Sequence, residues 1–165
     1  MVKKGIFLYC MNKTFLGEYE CKADAKGRFM FPSELKKQMG SQFEEGFVLN
    51  RNLHQKCLVL YPVLEWNKIN SRLAQLNRLI KANDIFIRRF SGGATPVGAD
   101  PSGRILLPKP LTEYAGIQNE LKVIGSNNVI ELWDHATYQA FMTQDMNLEQ
   151  LALEVLGQGN VGNWS

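Results

Sequence analysis

The chain has 165 residues, a net charge of +3 and an apolar share of 45%. That length suits one or two small domains, and the apolar share is enough to bury a core, which excludes a disordered protein. The three cysteines have neither the spacing of a zinc site nor the density of a disulfide scaffold, so we predict no metal, no other cofactor and a reducing cytoplasm. The N-terminal apolar run is too short for a typical signal peptide and no other run approaches a membrane span, so we predict no membrane partner.

The predicted elements begin with a strand over residues 15–22 that leads into a tight turn. In this turn Asp24 can accept hydrogen bonds from the backbone ahead of it, and Gly27 can supply a positive φ. A brief apolar strand over 29–31 follows, so the two strands are predicted to form a β-hairpin. A helix over 33–39 comes next.

A second strand pair is predicted over 47–50 and 57–61. The polar loop between these strands contains Arg51, His54 and Lys56. Apolar residues then recur at steps of three and four, which predicts a helix over 66–80 whose apolar face serves the core or a subunit contact. A short helix over 83–90 and a break at the following glycines complete this half.

The second half repeats the first. The sequence DAKGRFMFP at 24–32 returns in the pattern DPSGRILLP at 100–108, a shift of 76 residues. The same shift matches Gly17 with Gly93, Leu35 with Leu111 and Gly40 with Gly116. An internal duplication is the natural interpretation. Two more strands are predicted over 121–124 and 129–133, joined by a shorter loop, which is where deletions are tolerated.

Two helices are predicted near the end of the chain. Asp134 can cap the first, and Asn147 with Gln150 resembles a capping box for the second, over 148–156. Residues 157–165 are rich in Gly and Asn and are predicted to fray. A unit of about 60 residues is marginal alone, so the two copies are predicted to pack as a pseudo-symmetric pair with their hairpin tips close together.

The net charge is divided unevenly along the chain. Residues 1–98 hold sixteen Lys or Arg against eight Asp or Glu, whereas residues 99–165 hold three against eight, giving +8 and −5. The basic half is then the natural phosphate-facing half, with the acidic half turned to solvent or to a partner. The alternative is that both halves present ordinary solvated faces.

Several sequence blocks together resemble the bacterial MraZ family. They are the two D-x-x-G-R motifs, CLVLYP at 57–62 with EW at 65–66, RRFSGGA at 88–94, YAGI at 114–117 and ELWD at 131–134. The resemblance implies an α+β fold, mostly β with short helices: a duplicated AbrB-type swapped-hairpin β-barrel with two pseudo-symmetric halves. The implied organisation is an N-terminal extension over 1–13, a first repeat with linking helices over 14–90, a second repeat with a C-terminal helix over 91–156 and a flexible tail over 157–165.

The same resemblance implies a function. It implies a homo-oligomeric ring that represses transcription by binding short direct repeats in double-stranded DNA, upstream of the division and cell-wall gene cluster, in the cytoplasm and associated with the nucleoid. The family's DNA-binding arginine maps to Arg28 and, in the second copy, to Arg104. At 15–17 the chain has Phe-Leu-Gly where the family usually has Phe-Arg-Gly, so a DNA contact from that arginine is absent. The sequence does not decide whether translation starts at Met1 or at Met11.

The candidate DNA-binding residues are Arg28, Arg104, Lys22, Lys26 and Lys36. An arginine can fork onto guanine or phosphate, and the lysines can neutralise phosphate charge. Fewer positive charges surround Arg104, which makes it the weaker candidate. The residues assigned to the structure of the two turns are Asp24, Gly27, Asp100 and Gly103. The alternative is that each Asp forms a purely structural ion pair with the Arg of its own or of the other copy.

Two other classes of function are alternatives. In an enzyme, Cys57 could be the nucleophile and His54 or His135 its base, but Cys57 begins an apolar strand. The sequence contains no assembled triad, phosphate loop or metal-ligand spacing, so we predict no catalytic activity. A ring-forming scaffold that binds protein partners without specific DNA binding is the second alternative.

Overall fold

The computed structural model describes residues 14–157, in which eight strands and seven helices are formed. In chain order they are β1 (Glu18–Lys22), β2 (Arg28–Met30), α1 (Ser33–Met39), α2 (Gln42–Glu45), β3 (Phe47–Arg51), β4 (Leu58–Pro62), α3 (Val63–Ala74), α4 (Lys81–Ser91), β5 (Thr95–Val97), β6 (Arg104–Leu106), α5 (Lys109–Ala115), β7 (Glu120–Ser126), β8 (Val129–Asp134), α6 (His135–Met142) and α7 (Leu148–Gly157). The predicted N-terminal extension over 1–13 lies outside the described residues, as does the predicted tail over 157–165 except for Gly157, which is the last residue of α7. The expected α+β class, with mostly antiparallel strands and short helices, is confirmed.

The two repeats exchange their first strands. The main sheet has the order β1-β7-β8-β4-β3-β5, with every neighbouring pair antiparallel. The first strand of the first repeat, β1, therefore pairs with β7 of the second repeat, while β5 of the second repeat pairs with β3 of the first. This order is the same when the two repeats are interchanged. The duplication seen in the sequence is thus a structural pseudo-symmetry.

The predicted hairpin between β1 and β2 is present only at its tip. The backbone N–H of Asp24 donates to the carbonyl of Arg28 at 2.8 Å, and a single bridge joins Ala23 to Phe29. Beyond the tip the strands separate, because β1 forms five residue pairs with β7 while β2 pairs with β6 in a separate two-stranded sheet. A glycine with positive φ ends the turn and adds local twist, which favours this divergence.

Both repeats contribute to one hydrophobic core. At the centre of the main sheet β4 lies beside β8, and this pair of strands forms the seam between the repeats. The fully buried side chains of the seam are Leu58, Leu60, Ile130 and Leu132. Under the two-stranded sheet, Phe29 and Ile105 belong to the same core. Because apolar surface from each copy is removed from water by the other, folding of the two repeats is coupled.

The long helix predicted over 66–80 was too long. Helix α3 begins at Val63 and ends at Ala74, and the chain then turns before α4. Asn77 causes the turn: its side-chain Oδ1 accepts from the backbone N–H of Leu79 at 3.0 Å, and its carbonyl accepts from that of Ile80 at 3.2 Å. Asparagine competes with a helix through such local hydrogen bonds, which the apolar spacing alone does not register.

The two predicted C-terminal helices are present. The carboxylate of Asp134 accepts from the backbone N–H of Thr137 at 3.0 Å and so caps α6. Asn147 caps α7 in the same way by accepting from the backbone N–H of Gln150, but the Gln150 side chain bonds Glu154, so the capping box is only half formed. Helix α7 is exposed along its length. No helix within residues 14–157 is long and apolar enough to cross a bilayer.

Candidate nucleic-acid interface

The first D-x-x-G-R motif folds into a turn that is organised by one carboxylate. Asp24 Oδ1 accepts from the backbone N–H groups of Lys26 and Arg28, each at 2.9 Å. Its second oxygen, Oδ2, accepts from Arg28 Nε at 2.9 Å. The carbonyl of Asp24 also accepts from the backbone N–H of Gly27 at 3.0 Å. The aspartate therefore fixes the turn and the base of the arginine side chain together.

The second motif repeats this geometry. Asp100 Oδ1 accepts from the backbone N–H groups of Ser102 and Arg104 at 2.9 Å, and Oδ2 accepts from Arg104 Nε at 3.0 Å. Each arginine thus pairs with the aspartate of its own copy and not with the aspartate of the other copy. The sequence had left both pairings open. The ion pair occupies Nε alone, and among residues 14–157 no acceptor lies within hydrogen-bond distance of the Nη groups of Arg28 or Arg104. Those groups are free to bind a ligand.

Glycine is required in the first turn for two reasons. Gly27 has φ +84°, and a Cβ there would lie 3.1 Å from the carbonyl oxygen of Leu107. That close approach accompanies a hydrogen bond, since the backbone N–H of Leu107 donates to the Gly27 carbonyl at 2.9 Å. The symmetric bond runs from the N–H of Phe31 to the carbonyl of Gly103 at 3.1 Å. Each turn is therefore bonded to the other copy just past that copy's strand. The two tips, which the sequence predicted to lie near one another, stand at opposite ends of the β2–β6 pair because these strands are antiparallel.

Strands β2 and β6 form a two-stranded ribbon with one exposed face. Arg28 lies opposite Leu106, and Met30 lies opposite Arg104, in an antiparallel register. Because side chains alternate along a strand, these four share one face, while the intervening Phe29 and Ile105 point into the core. Met30 and Leu106 are each 53% exposed. The ribbon thus presents two arginines on one diagonal and two exposed apolar side chains on the other.

The predicted lysines are placed unequally around this ribbon. Lys22 and Lys36 line a cleft of about 680 Å³ together with Met30 and Gly103, so residues of both copies meet there. Lys36 Nζ also lies 4.8 Å from the centre of the Phe43 ring. Lys26 is exposed at the tip of the first turn and does not line this cleft. The structure therefore gathers Lys22 and Lys36 beside the ribbon and leaves Lys26 at its end.

The contribution of Met30 and Leu106 was missed in the sequence. The sequence shows that each strand is an arginine followed by two apolar residues, R-F-M in β2 and R-I-L in β6. It does not show which of the two apolar residues is exposed. Only the pairing of β2 with β6 shows that the two exposed apolar side chains join the arginines on one face.

The turn aspartates make the fold sensitive to acid. Hydrogen bonds from the Arg28 backbone lower the pKa of the Asp24 carboxyl below its ordinary value of 3.8, and those from the Arg104 backbone do the same for Asp100. A carboxylate whose pKa is lower in the folded state stabilises the fold above pH 3.8, and this stabilisation is lost as pH falls through the lowered value. We expect the double substitution Asp24→Asn and Asp100→Asn to lower the melting temperature at pH 6 and to flatten its decline below pH 4.

Thermal unfolding between pH 2 and pH 7 measures this effect. Glu113→Gln, which removes an exposed carboxylate from a helix, is the control and should leave the acid decline in place. An acid decline in the double variant as steep as in the natural chain would show that other groups cause it.

The cysteine considered as a nucleophile is a packing residue. Cys57 is fully buried beside Trp133 and Tyr138, beneath helix α6. Burial, with a smaller contribution from the charge of Glu131, raises the pKa of its thiol to about 12. Almost no reactive thiolate forms at neutral pH under these conditions.

Two interlocked repeats that exchange strands around paired D-x-x-G-R turns define a duplicated protein of the swapped-hairpin class. The family model described as "MraZ protein, putative antitoxin-like" matches the chain twice, over residues 14–89 and 90–157. The chain belongs to the MraZ family. The boundary between the two matches, at 89/90, falls in the last turn of helix α4, one strand before the second turn.

Relatives in this family match the chain over nearly their whole length. A protein of Christiangramia forsetii is 45% identical over 145 residues, which cover 87% of this chain and 94% of the relative. One of Flavobacterium psychrophilum is 41% identical over 148 residues, covering 89% and 94%, and one of Acetivibrio thermocellus is 35% identical over 139 residues, covering 84% and 94%. Each of the three is named Transcriptional regulator MraZ. The solution structure of PHS018 from Pyrococcus horikoshii overlaps 71% of the chain and 86% of its own, with 15% identity and a TM-score of 0.30.

Proposed function

We propose that this protein is a sequence-specific DNA-binding repressor of transcription. The observation that carries the proposal is the exposed face of the β2–β6 ribbon, on which two turn-held arginines flank two apolar side chains. The naming of three relatives as transcriptional regulators agrees with it.

The ribbon has the shape and chemistry that a DNA major groove accepts. That groove admits a two-stranded β-ribbon, as it admits an α-helix. The free Nη groups of Arg28 and Arg104 can donate to guanine O6 and N7, and the side chains of Met30 and Leu106 can contact thymine methyl groups. Since the ribbon has pseudo-twofold symmetry, one subunit would read two short, related sequences with its two arginines.

The lysines supply the part of binding that does not depend on sequence. Lys22 and Lys36 beside the ribbon, with Lys26 at its tip, are exposed and suited to phosphate contacts. Lysine neutralises phosphate charge as a point charge and makes affinity fall with salt concentration. The second turn has Pro101 and Ser102 in the corresponding positions, so we assign the stronger half of the contact to Arg28.

The target that family membership suggests is a set of short direct repeats upstream of the division and cell-wall genes, read in the cytoplasm at the nucleoid. Footprinting of the DNA upstream of this protein's own gene tests the target. We expect protection of repeated boxes at regular spacing. Uniform protection, or none, would contradict sequence-specific repression.

We propose further that subunits join into a closed ring. The turn between helices α3 and α4 and the first half of α4 expose large apolar side chains, and residues 76–85 hold two Lys or Arg against one Asp. The exposed apolar residues of this surface are Leu79, Ile80 and Ile85. Residues 142–157, which include α7, hold three acidic residues and no basic one, and they also expose apolar side chains. Two complementary surfaces on one chain favour a head-to-tail contact, which closes into a ring when the rotation permits.

Leu79→Asp is expected to break this assembly. Leu79 is 95% exposed within one subunit, so the substitution removes no core contact of the subunit itself. Loss of a buried leucine at each subunit contact costs about 1.5–3 kcal/mol, and the added charge must also be desolvated. Sedimentation at micromolar concentration should show a large particle for the natural chain and smaller, folded species for the variant.

The control is Leu16→Asp, which places the same charge on an exposed leucine that belongs neither to α4 nor to the turn before it. It should leave the particle mass unchanged. A natural chain that sediments as a monomer would contradict the ring, and a Leu79→Asp particle of unchanged mass would remove this surface from the contact.

A further inference from the structure

A second basic surface lies apart from the ribbon residues, in a cleft between the end of β3, the C-terminal turn of α4 and helix α5. The cleft has a volume of about 640 Å³. Three arginines line it, Arg51, Arg88 and Arg89, and no aspartate or glutamate does. Arg88 is neutralised by Asp84, whose Oδ2 lies 2.8 Å from its Nη1. The other two have no carboxylate within salt-bridge distance in the part of the chain that the structure describes.

A further cation, Lys56, lies against Tyr114, which is one of the residues that line the cleft. Lys56 Nζ lies 4.6 Å from the centre of the Tyr114 ring, and Arg51 Cζ lies 5.6 Å from the same centre. The two positive charges are therefore held within about a Debye length of each other at 0.1 M salt, where they repel. The aromatic ring attracts each cation, but it does not cancel their mutual repulsion. An anion bound close to both cations would reduce that repulsion.

The position of Arg51 is fixed by its surroundings. Asn50 is 1% exposed; its Nδ2 donates to the Phe90 carbonyl at 2.9 Å, and its Oδ1 accepts from the backbone N–H of Arg51 at 2.9 Å. The Arg51 guanidinium lies against Gly93, where a Cβ would come within 2.8 Å of Nε. The buried side-chain amide of Asn50 thus fixes the backbone of Arg51, and Gly93, which has no side chain, leaves room for its guanidinium group. Both effects preorganise Arg51 for binding.

We propose that this cleft binds the phosphate group of a nucleotide. Guanidinium groups match phosphate oxygens in pairs, and clustered cations without carboxylates favour a ligand with more than one negative charge. Phe86, which is 42% exposed, stacks on Phe90 in the wall of the cleft and offers a face on which a base can stack. The nucleotide is either part of a DNA strand that extends beyond the ribbon or a free molecule, and the site does not depend on the proposed repression.

Titration calorimetry with inorganic pyrophosphate tests the site. Arg89→Gln removes an exposed charge from the cleft, and the control Arg72→Gln removes an exposed charge from α3, outside the cleft lining. We expect the natural chain and Arg72→Gln to bind pyrophosphate alike and Arg89→Gln to bind about tenfold more weakly. Arg51→Gln should also weaken binding, with its melting temperature measured to confirm that it folds.

Two further titrations identify the source of the phosphate. If DNA supplies it, Arg89→Gln lowers the slope of log affinity against log salt by about one for a long operator fragment, and Arg72→Gln does not. If a free nucleotide supplies it, ADP binds more tightly than pyrophosphate, and operator binding is the same in both variants.

Absence of pyrophosphate binding by the natural chain, or equal loss in both variants, would overturn the proposal while leaving operator binding as a separate result. A change confined to the particle mass of Arg89→Gln would also overturn it, because the cleft would then be a subunit contact for an acidic segment.

Discussion

Arg28→Ala should weaken binding to the operator by about 1–3 kcal/mol for each contacted box, while the fold persists. The reason is local. Asp24 holds Arg28 by Nε and leaves both Nη groups available, so the substitution removes the donors that can fork onto a base. Asp24 keeps its two backbone hydrogen bonds without the arginine side chain, and the turn survives.

Two companion variants sharpen the result. Arg28→Lys keeps the charge but loses the planar fork, so we expect specific affinity to fall nearly as far while nonspecific affinity is kept. Arg104→Ala removes the symmetric arginine, whose turn lacks a lysine, and should have a smaller effect than Arg28→Ala.

Fluorescence anisotropy with operator and scrambled DNA measures both affinities. Arg72→Ala, which removes an exposed arginine from α3, is the control and should leave operator affinity intact. Unchanged affinity in a folded Arg28→Ala variant would remove the ribbon from the interface.

Insertion of about five base pairs between two operator boxes should weaken binding by about 100-fold, and insertion of about ten should restore much of it. A ring that repeats the ribbon from subunit to subunit presents successive ribbons to successive boxes on one side of the duplex. Half a helical turn moves the second box to the opposite side, where the neighbouring ribbon cannot reach it. Affinity then falls to that of one contact because the gain from linkage is lost.

The comparison requires operators of equal length and box content, with only the spacing varied. The Leu79→Asp variant is the control, since smaller species should bind each box weakly at every spacing. Affinity of the natural chain that ignores spacing would mean that subunits bind boxes independently.

The features predictable from the sequence are those that local rules determine. The turn that begins at Asp24 follows from the hydrogen bonding of aspartate and from the positive φ of Gly27. The cap at Asp134 is equally local. The duplication needed only a constant shift. The family resemblance, and not the pattern of residues, predicted that the repeats exchange strands.

The features that the sequence pattern did not predict depend on pairing between distant residues. The separation of β2 from β1 follows from competition among possible ladders, which no single segment encodes. The shared face of Arg28 and Arg104 depends on the same pairing. The end of α3 was missed for a different reason, because Asn77 overrides an apolar pattern that continues past it.

The most direct test of the central proposal is a titration of the DNA upstream of the protein's gene against scrambled DNA of equal length, at about 50 and 200 mM salt. A sequence-specific repressor should bind the natural DNA about a thousandfold or more tightly than the scrambled DNA, and both affinities should fall steeply with salt. Equal affinity for the two DNAs, from a protein that still sediments as a large particle, would contradict repression and favour a scaffold that binds protein partners.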